Sequence, residues 1–159
     1  MMMTDIVPNM ELKAKSVQDH VCVSYQKTVA EQFNWPVRVY YEDTDAGGIV
    51  YYGNYLKFME RARTDWLRSC GIDVARLAAT DRLMFTVRSI TLDFLKPARL
   101  SDNLDVSVAL GRIRKVSVEL EQAVVRAGDV LCTGQVRLAC VDVDTLKPKA
   151  MPKTLVGET

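Results

Sequence analysis

The hydrophobic period of this chain changes once, and that change restricts the folds open to it. Tyr55, Leu56, Met59, Ala62, Trp66, Leu67 and Cys70 recur at helical spacing, and from Ile90 onward apolar residues recur at every second position. The first pattern predicts a helix of about four turns, with Asn54 as a plausible N-cap and Gly71 as its C-terminal stop. Its apolar stripe is broad, and Lys57, Glu60, Arg61 and Arg63 form the other face, so another element should wrap around it. Asp73 then reads as the cap of a short helix running to about Thr80.

Strands account for most of the remainder. Before the long helix, Val37, Val39 and Tyr41 alternate with Arg38, Tyr40 and Glu42. After it come Ile90 to Phe94, ending at Lys96-Pro97; Leu104 to Leu110; Val116 to Glu121; and Gln135 to Cys140. Ala127-Gly128-Asp129 marks the turn between the last two long strands. One strand, one long helix and a run of antiparallel strands predict an α+β chain with a sheet curled around a single helix. A sheet of this kind leaves an edge and an outer face open, which subunit pairing would close. Residues 1–33 lack a clear period and read as an extension, disordered or docked on the surface; 34–152 form the patterned domain, and 153–159 a tail.

At 159 residues the chain supports one core. Twenty-one basic against twenty acidic side chains give a net charge of +1, so no global field points to nucleic acid or to an anionic membrane. No run of about 18 apolar residues predicts a membrane span. The four cysteines have no metal or redox spacing and read as reduced thiols of a cytoplasmic protein. A single histidine, His20, excludes Ser-His-Asp and Cys-His systems within one chain, and zinc sites that need several imidazoles. A hydrolase built from this sequence must use carboxylates and backbone dipoles.

The segment Tyr40-Tyr41-Glu42-Asp43-Thr44-Asp45-Ala46-Gly47-Gly48 lies between the first strand and the long helix. Three readings compete for it. Asp43 and Asp45 can form Asx-type turns while the glycines supply unusual backbone angles. A calcium loop would use Asp43, Asp45 and Gly48 at its first, third and sixth positions, but Gly47 and Asn54 occupy its fifth and twelfth. The third reading is catalytic.

The catalytic reading rests on a spaced match from Trp35 to about Pro152: Val37 through Tyr52, Asn54-Tyr55, Glu60-Arg61-Ala62-Arg63, Pro97-Ala98-Arg99-Leu100 and Pro148 through Pro152. These residues resemble the hotdog-fold acyl-CoA thioesterases of the 4-hydroxybenzoyl-CoA thioesterase type, closest to the subgroup associated with the bacterial Tol-Pal system. The resemblance implies a hotdog fold, an acyl-CoA substrate, a homodimer or homotetramer with its pocket at the subunit interface, and no metal or cofactor. It implies that Asp45, the second aspartate of the D-x-D segment, is the catalytic carboxylate, acting as nucleophile or as general base. A thioester suits a single carboxylate, because its carbonyl is electrophilic and its thiolate leaves readily. The family also implies an oxyanion donor in the backbone near Met84 and Phe85.

Tyr52 stands where many of the Tol-Pal subgroup carry histidine, and it resembles the 4-hydroxybenzoyl-CoA enzymes in this. A phenol of ordinary pKa near ~10 is a poor base at neutral pH, so Tyr52 is expected either to take part in catalysis or to pack at the helix start. Arg61, Arg88, Lys96 and Arg99 are candidate cations for the phosphates of coenzyme A, with solvent-facing positions as the alternative. Arg61 and Arg63 also fit the solvated or subunit-facing side of the helix. Two other function classes are open. One is a module that binds acyl-CoA or acyl carrier protein in an envelope or phospholipid assembly; the other is a hotdog dehydratase, which normally needs an Asp and His pair that this core lacks.

Overall fold

A computed structural model describes residues 32–156; the N-terminal extension up to residue 31 lies outside the described residues. In chain order the elements are strand β1 (Phe33–Arg38), a 3-10 turn (Tyr41–Asp43), helix α1 (Tyr52–Ser69), helix α2 (Val74–Thr80), strands β2 (Leu83–Phe94), β3 (Asn103–Arg114), β4 (Ser117–Arg126) and β5 (Asp129–Asp142), and a final helical turn α3 (Lys153–Val156). The strands form one antiparallel sheet in the order β1-β3-β4-β5-β2. The fold is α+β and of the hotdog type, a sheet curved around one long helix.

Alternation decides which face each strand buries. Val106, Val108, Val118, Leu120, Val124, Cys132, Val136 and Leu138 are buried and point toward α1, which answers with Tyr55, Phe58, Met59, Ala62, Trp66 and Leu67. Phe58 and Met59 are at most 1% exposed, and full burial of each such side chain stabilises by roughly 2 kcal/mol. Gly134 makes this close approach possible. A Cβ there would lie 2.8 Å from Leu92 Cδ2 and 3.1 Å from Met59 Sδ, so a side chain would displace the ends of those two core side chains.

The turns follow local chemistry. Ala127 (φ 48°) and Gly128 (φ 86°) form the two-residue hairpin between β4 and β5, whose right-handed twist requires positive φ at both positions. Gly71 (φ 79°) ends α1 in the left-handed region, as its position after the last periodic residue predicts. Asp73 caps α2 by accepting N–H bonds from Ala75 (2.9 Å) and Arg76 (3.0 Å). At the C-terminal end, Leu155 of α3 is buried against the core.

Three expectations need correction. The first strand stops at Arg38 rather than continuing to Glu42; Asp43 Oδ2 accepts the Tyr40 N–H at 2.8 Å, which bends the chain into the 3-10 turn and leaves Tyr41 80% exposed. Asn54 is not the N-cap of α1. That position is Tyr51, and Asn54 lies buried inside the first turn, where its Nδ2 donates to Asp43 O at 2.9 Å. Arg63 is not solvated: it is 6% exposed, and its guanidinium donates to Gln122 Oε1 on β4 at 2.8 Å.

Candidate active site

The segment singled out in the sequence forms a short loop pinned to the start of α1. Asp43 O accepts from Tyr51 N–H (2.9 Å) and from Asn54 Nδ2, which ties the loop to the first turn of the helix at two points. The strand-like bridge between Thr44 and Val50 closes the loop, and Asp45 N–H donates to Ile49 O at 3.0 Å. Within it, Asp45 to Gly48 is a β-turn: Gly48 N–H donates to Asp45 O, and Gly48 takes φ 72°. Asp45 Oδ1 accepts from Gly47 N–H at 2.7 Å. The Asx-turn reading and the catalytic reading are therefore compatible, since one carboxylate oxygen fixes the turn while the other remains for a substrate. The two aspartates do not point at one ion: Asp43 Oδ2 is committed to Tyr40 and Asp45 Oδ1 to Gly47.

Asp45 borders a cleft of about 360 Å³ lined also by Ile49, Val50, Tyr52, Tyr55, Phe94, Leu95, Lys96 and Pro97. Its walls are mostly apolar. Phe94, the last residue of β2, sits edge-on to both Tyr52 (ring centroids 6.5 Å apart) and Tyr55 (5.4 Å), and Tyr55 is edge-on to core Phe58 (6.3 Å). Tyr55 is locked in place because its phenol oxygen accepts the Ala98 N–H at 2.9 Å; burial pushes that phenol above its ordinary pKa. The N-terminal end of the 18-residue α1 opens on this cleft with no side-chain cap from Tyr51. Its first N–H groups give that end a partial positive charge suited to a developing oxyanion.

The other candidates separate by position. Tyr52 and Lys96 line the cleft with Asp45, and Lys96 forms a surface pair with Asp129 at 3.1 Å. Arg99 is held beside the loop by its bridge to Ile49, while its own N–H donates to Asp102 Oδ2 at 2.8 Å. Arg61 and Arg88 are exposed and do not line the cleft. Met84 and Phe85 lie at the opposite end of β2 from Phe94, roughly 30 Å away at the rise of a strand, so within one chain they do not reach Asp45. Sequence reasoning missed Tyr51, Phe94, Leu95 and Pro97 as neighbours of the site. The alternation of Ile90, Leu92 and Phe94 carries the direction of Phe94, but only the pairing of β2 with β5 shows that its end meets the helix start. A larger, polar depression of about 510 Å³ lies on the outer face of the sheet, among Thr91, Asp93, Glu121, Thr133 and Gln135. It contains neither Asp45 nor the end of a helix.

Comparison with known proteins agrees with this geometry. The family model of the thioesterase-like superfamily matches residues 39–157. The acyl-CoA thioester hydrolase YbgC of Escherichia coli O6:H1 is 44% identical over 127 residues, covering 79% of this chain and 94% of that protein. The acyl-CoA thioesterase YbgC of Haemophilus influenzae is 41% identical over 121 residues, covering 76% and 89%. Among solved structures, a probable thioesterase from Bartonella henselae superposes with a TM-score of 0.74 at 31% identity, covering 76% of this chain and 99% of that one. With a match across most of its length and a hotdog fold, the chain belongs to the thioesterase-like superfamily and is a thioester hydrolase.

Proposed function

We propose that the chain hydrolyses acyl-coenzyme A to a free carboxylic acid and coenzyme A, with Asp45 acting on the thioester carbonyl. The observation that carries this reading is a carboxylate with one uncommitted oxygen at the mouth of an apolar cleft, beside the uncapped start of α1. The two YbgC relatives are named for the same reaction. The acyl group enters the apolar cleft, the carbonyl oxygen takes N–H bonds from the first turn of α1, and Asp45 delivers the nucleophile. As a nucleophile, Asp45 forms an acyl-aspartyl anhydride and expels the thiolate, and water then cleaves the anhydride. As a general base, it takes a proton from the attacking water and passes it to the leaving thiolate.

The reading includes a cytoplasmic homodimer, or a tetramer of two such dimers, of the kind that serves the Tol-Pal system. Edge strand β1 is six residues long and carries Pro36, whereas edge strand β2 is twelve residues long. Long unprotected edges recruit partners, so β2 is the pairing edge. Antiparallel pairing of two β2 strands about their midpoint brings the partner's Met84 and Phe85 to the neighbourhood of Leu92 to Phe94, at the rim of the cleft. This is how those backbone groups would contribute to the oxyanion site, and Lys96 and Arg99 at the rim would meet the coenzyme A phosphates.

Asp45→Asn is the sharpest test, because the amide keeps an oxygen to accept the Gly47 N–H and removes only the carboxylate. It should lower thiol release from acyl-CoA by at least about a hundred-fold, the scale of a lost base or nucleophile, with an unchanged Tm. Wild-type turnover in this variant rejects the assignment. Affinity without turnover in the wild-type protein, across acetyl-, hexanoyl- and benzoyl-CoA, would instead support a binding module. A single turnover in ¹⁸O water tests the nucleophilic route: label in the Asp45 carboxylate establishes it, since water that cleaves the anhydride at the aspartyl carbonyl leaves its oxygen there and general-base hydrolysis never does.

A further inference from the structure

Gly53 lies inside the first turn of α1, where the backbone does not need a glycine: its φ is not positive, and a helical glycine is less stable there than alanine. What an added Cβ would meet is one ring. It would lie 2.7 Å from Cε1 and 3.3 Å from Cδ1 of Tyr51. Tyr51 in turn stands 4.5 Å from Tyr52, ring centroid to ring centroid, and Tyr52 faces Phe94 across the cleft that Asp45 borders. The backbone of Tyr51 is fixed to the same loop through its N–H bond to Asp43 O. Tyr51 is thus held at both ends, by the catalytic loop at its amide and by the bare face of Gly53 at its ring.

We propose that Tyr51 is a positioning residue of this active site: seated on Gly53, its ring holds the ring of Tyr52 against the cleft wall beside Asp45. The proposal rests on the Asp45 reading above and adds a residue pair to it. The Tyr51 phenol agrees with the arrangement. It is pushed above its ordinary pKa, first by the neighbouring Tyr52 phenol and in smaller part by the charge of Asp45, so the three groups share one neighbourhood. Free to rotate, the Tyr52 ring, which is 63% exposed, would sweep across the mouth of the cleft and through the volume of the bound thioester. A small error in the placement of reacting groups lowers turnover far more than it lowers binding.

Gly53→Ala separates positioning from stability, because it removes the seat while improving the helix. The expected result is a Tm equal to or above wild type together with a kcat lowered about ten-fold and a KM within about two-fold. Tyr51→Ala should do the same to kcat, and Tyr51→Phe, which keeps the ring on its seat, should restore most of it. The double variant Tyr51→Ala/Gly53→Ala should be no slower than Tyr51→Ala alone, since both changes act on one ring. All are measured by thiol release from whichever of acetyl-, hexanoyl- or benzoyl-CoA the wild-type enzyme turns over fastest, with Asp45→Asn alongside. Wild-type kcat in Gly53→Ala, a kcat loss accompanied by a lower Tm in that variant, or additive losses in the double variant would each overturn the proposal while leaving Asp45 in place. Retained turnover in Asp45→Asn is a separate failure, which removes the catalytic reading and this one with it.

Discussion

At the scale of single residues, several carboxylates of the fold are anchored by backbone N–H groups as much as by opposite charges. Asp102 shows how several contacts add up at one carboxylate. Burial would push its carboxyl up, but the guanidinium of Arg126 at 2.7 Å and the N–H of Arg99 outweigh it and hold the group below its ordinary value. Asp73 and Asp142 are also held low, chiefly by the N–H groups of Arg76 and Thr145 respectively. A carboxylate whose folded pKa is depressed contributes stability that is complete above its unfolded value of about 3.9 and is lost as pH falls through the folded value. Chemical denaturation measured from pH 6 downward should therefore show stability falling below about pH 4. Asp102→Asn should flatten that acid limb and lower the plateau above it. An acid limb of unchanged slope in the variant would show that the Asp102 contacts contribute nothing. The backbone carbonyl of Asp102 also accepts Val39 N–H (3.0 Å), which joins the β2–β3 connection to the residues after β1, and Asp102→Asn leaves that bond in place.

At the scale of elements, α1 and the sheet meet through an apolar interface with one polar link at its centre. Gln122 accepts from Arg63 and donates from Nε2 to Met59 O at 3.1 Å, so a single side chain of β4 binds two residues on successive turns of the helix. Removing it by Gln122→Ala leaves a buried guanidinium without that acceptor, and the expected loss is roughly 2–3 kcal/mol in urea denaturation. Replacing both partners, Arg63→Leu with Gln122→Leu, should recover most of it, since an apolar pair leaves no charge unsatisfied. Additive losses in the double variant would show that the link carries no coupling. The same elements show what the sequence could and could not tell. Alternation at residues 118, 120, 122 and 124 and the helical stripe around Met59 locate the buried faces, because periodicity reports which side of an element meets the core. The residue type of Arg63 points to the solvated or subunit-facing side of the helix, and the partner that holds it in the core is 59 positions away. The start of α1 lies three residues before the expected one, because Asn54 has the chemistry of an N-cap but its amide reaches back to Asp43 O instead. The loop that carries Asp45 to the cleft was legible as a feature between the first strand and the long helix, because it holds a long spaced motif. Its neighbours Phe94, Leu95 and Pro97 were not, because they come from a strand end brought to the site by sheet order alone.

At the scale of the whole molecule, the cleft is open on the side where β2 ends, and among the described residues no strand lies beyond β2. Tyr52, Phe94 and Leu95 are more than half exposed there, although each is a residue that a completed site would cover. Exposed rings and the edge of a long strand, together beside the Asp45 carboxylate, are what the proposed pairing of two chains through β2 would cover. The pattern of one chain carries no information on which backbone groups of another would face this cleft, so the Met84 and Phe85 expectation rests on the resemblance alone. Enzyme assembled through β2 should lose specific activity on dilution in step with the conversion of dimer to monomer seen by sedimentation, because the lone protomer lacks the second wall of the cleft. A bound substrate that touches both chains should shift that transition to lower protein concentration, as any ligand favouring the assembled form must. Constant specific activity through a sedimentation-verified transition to monomers would show instead that Asp45, the start of α1 and the cleft wall of one chain are sufficient for turnover.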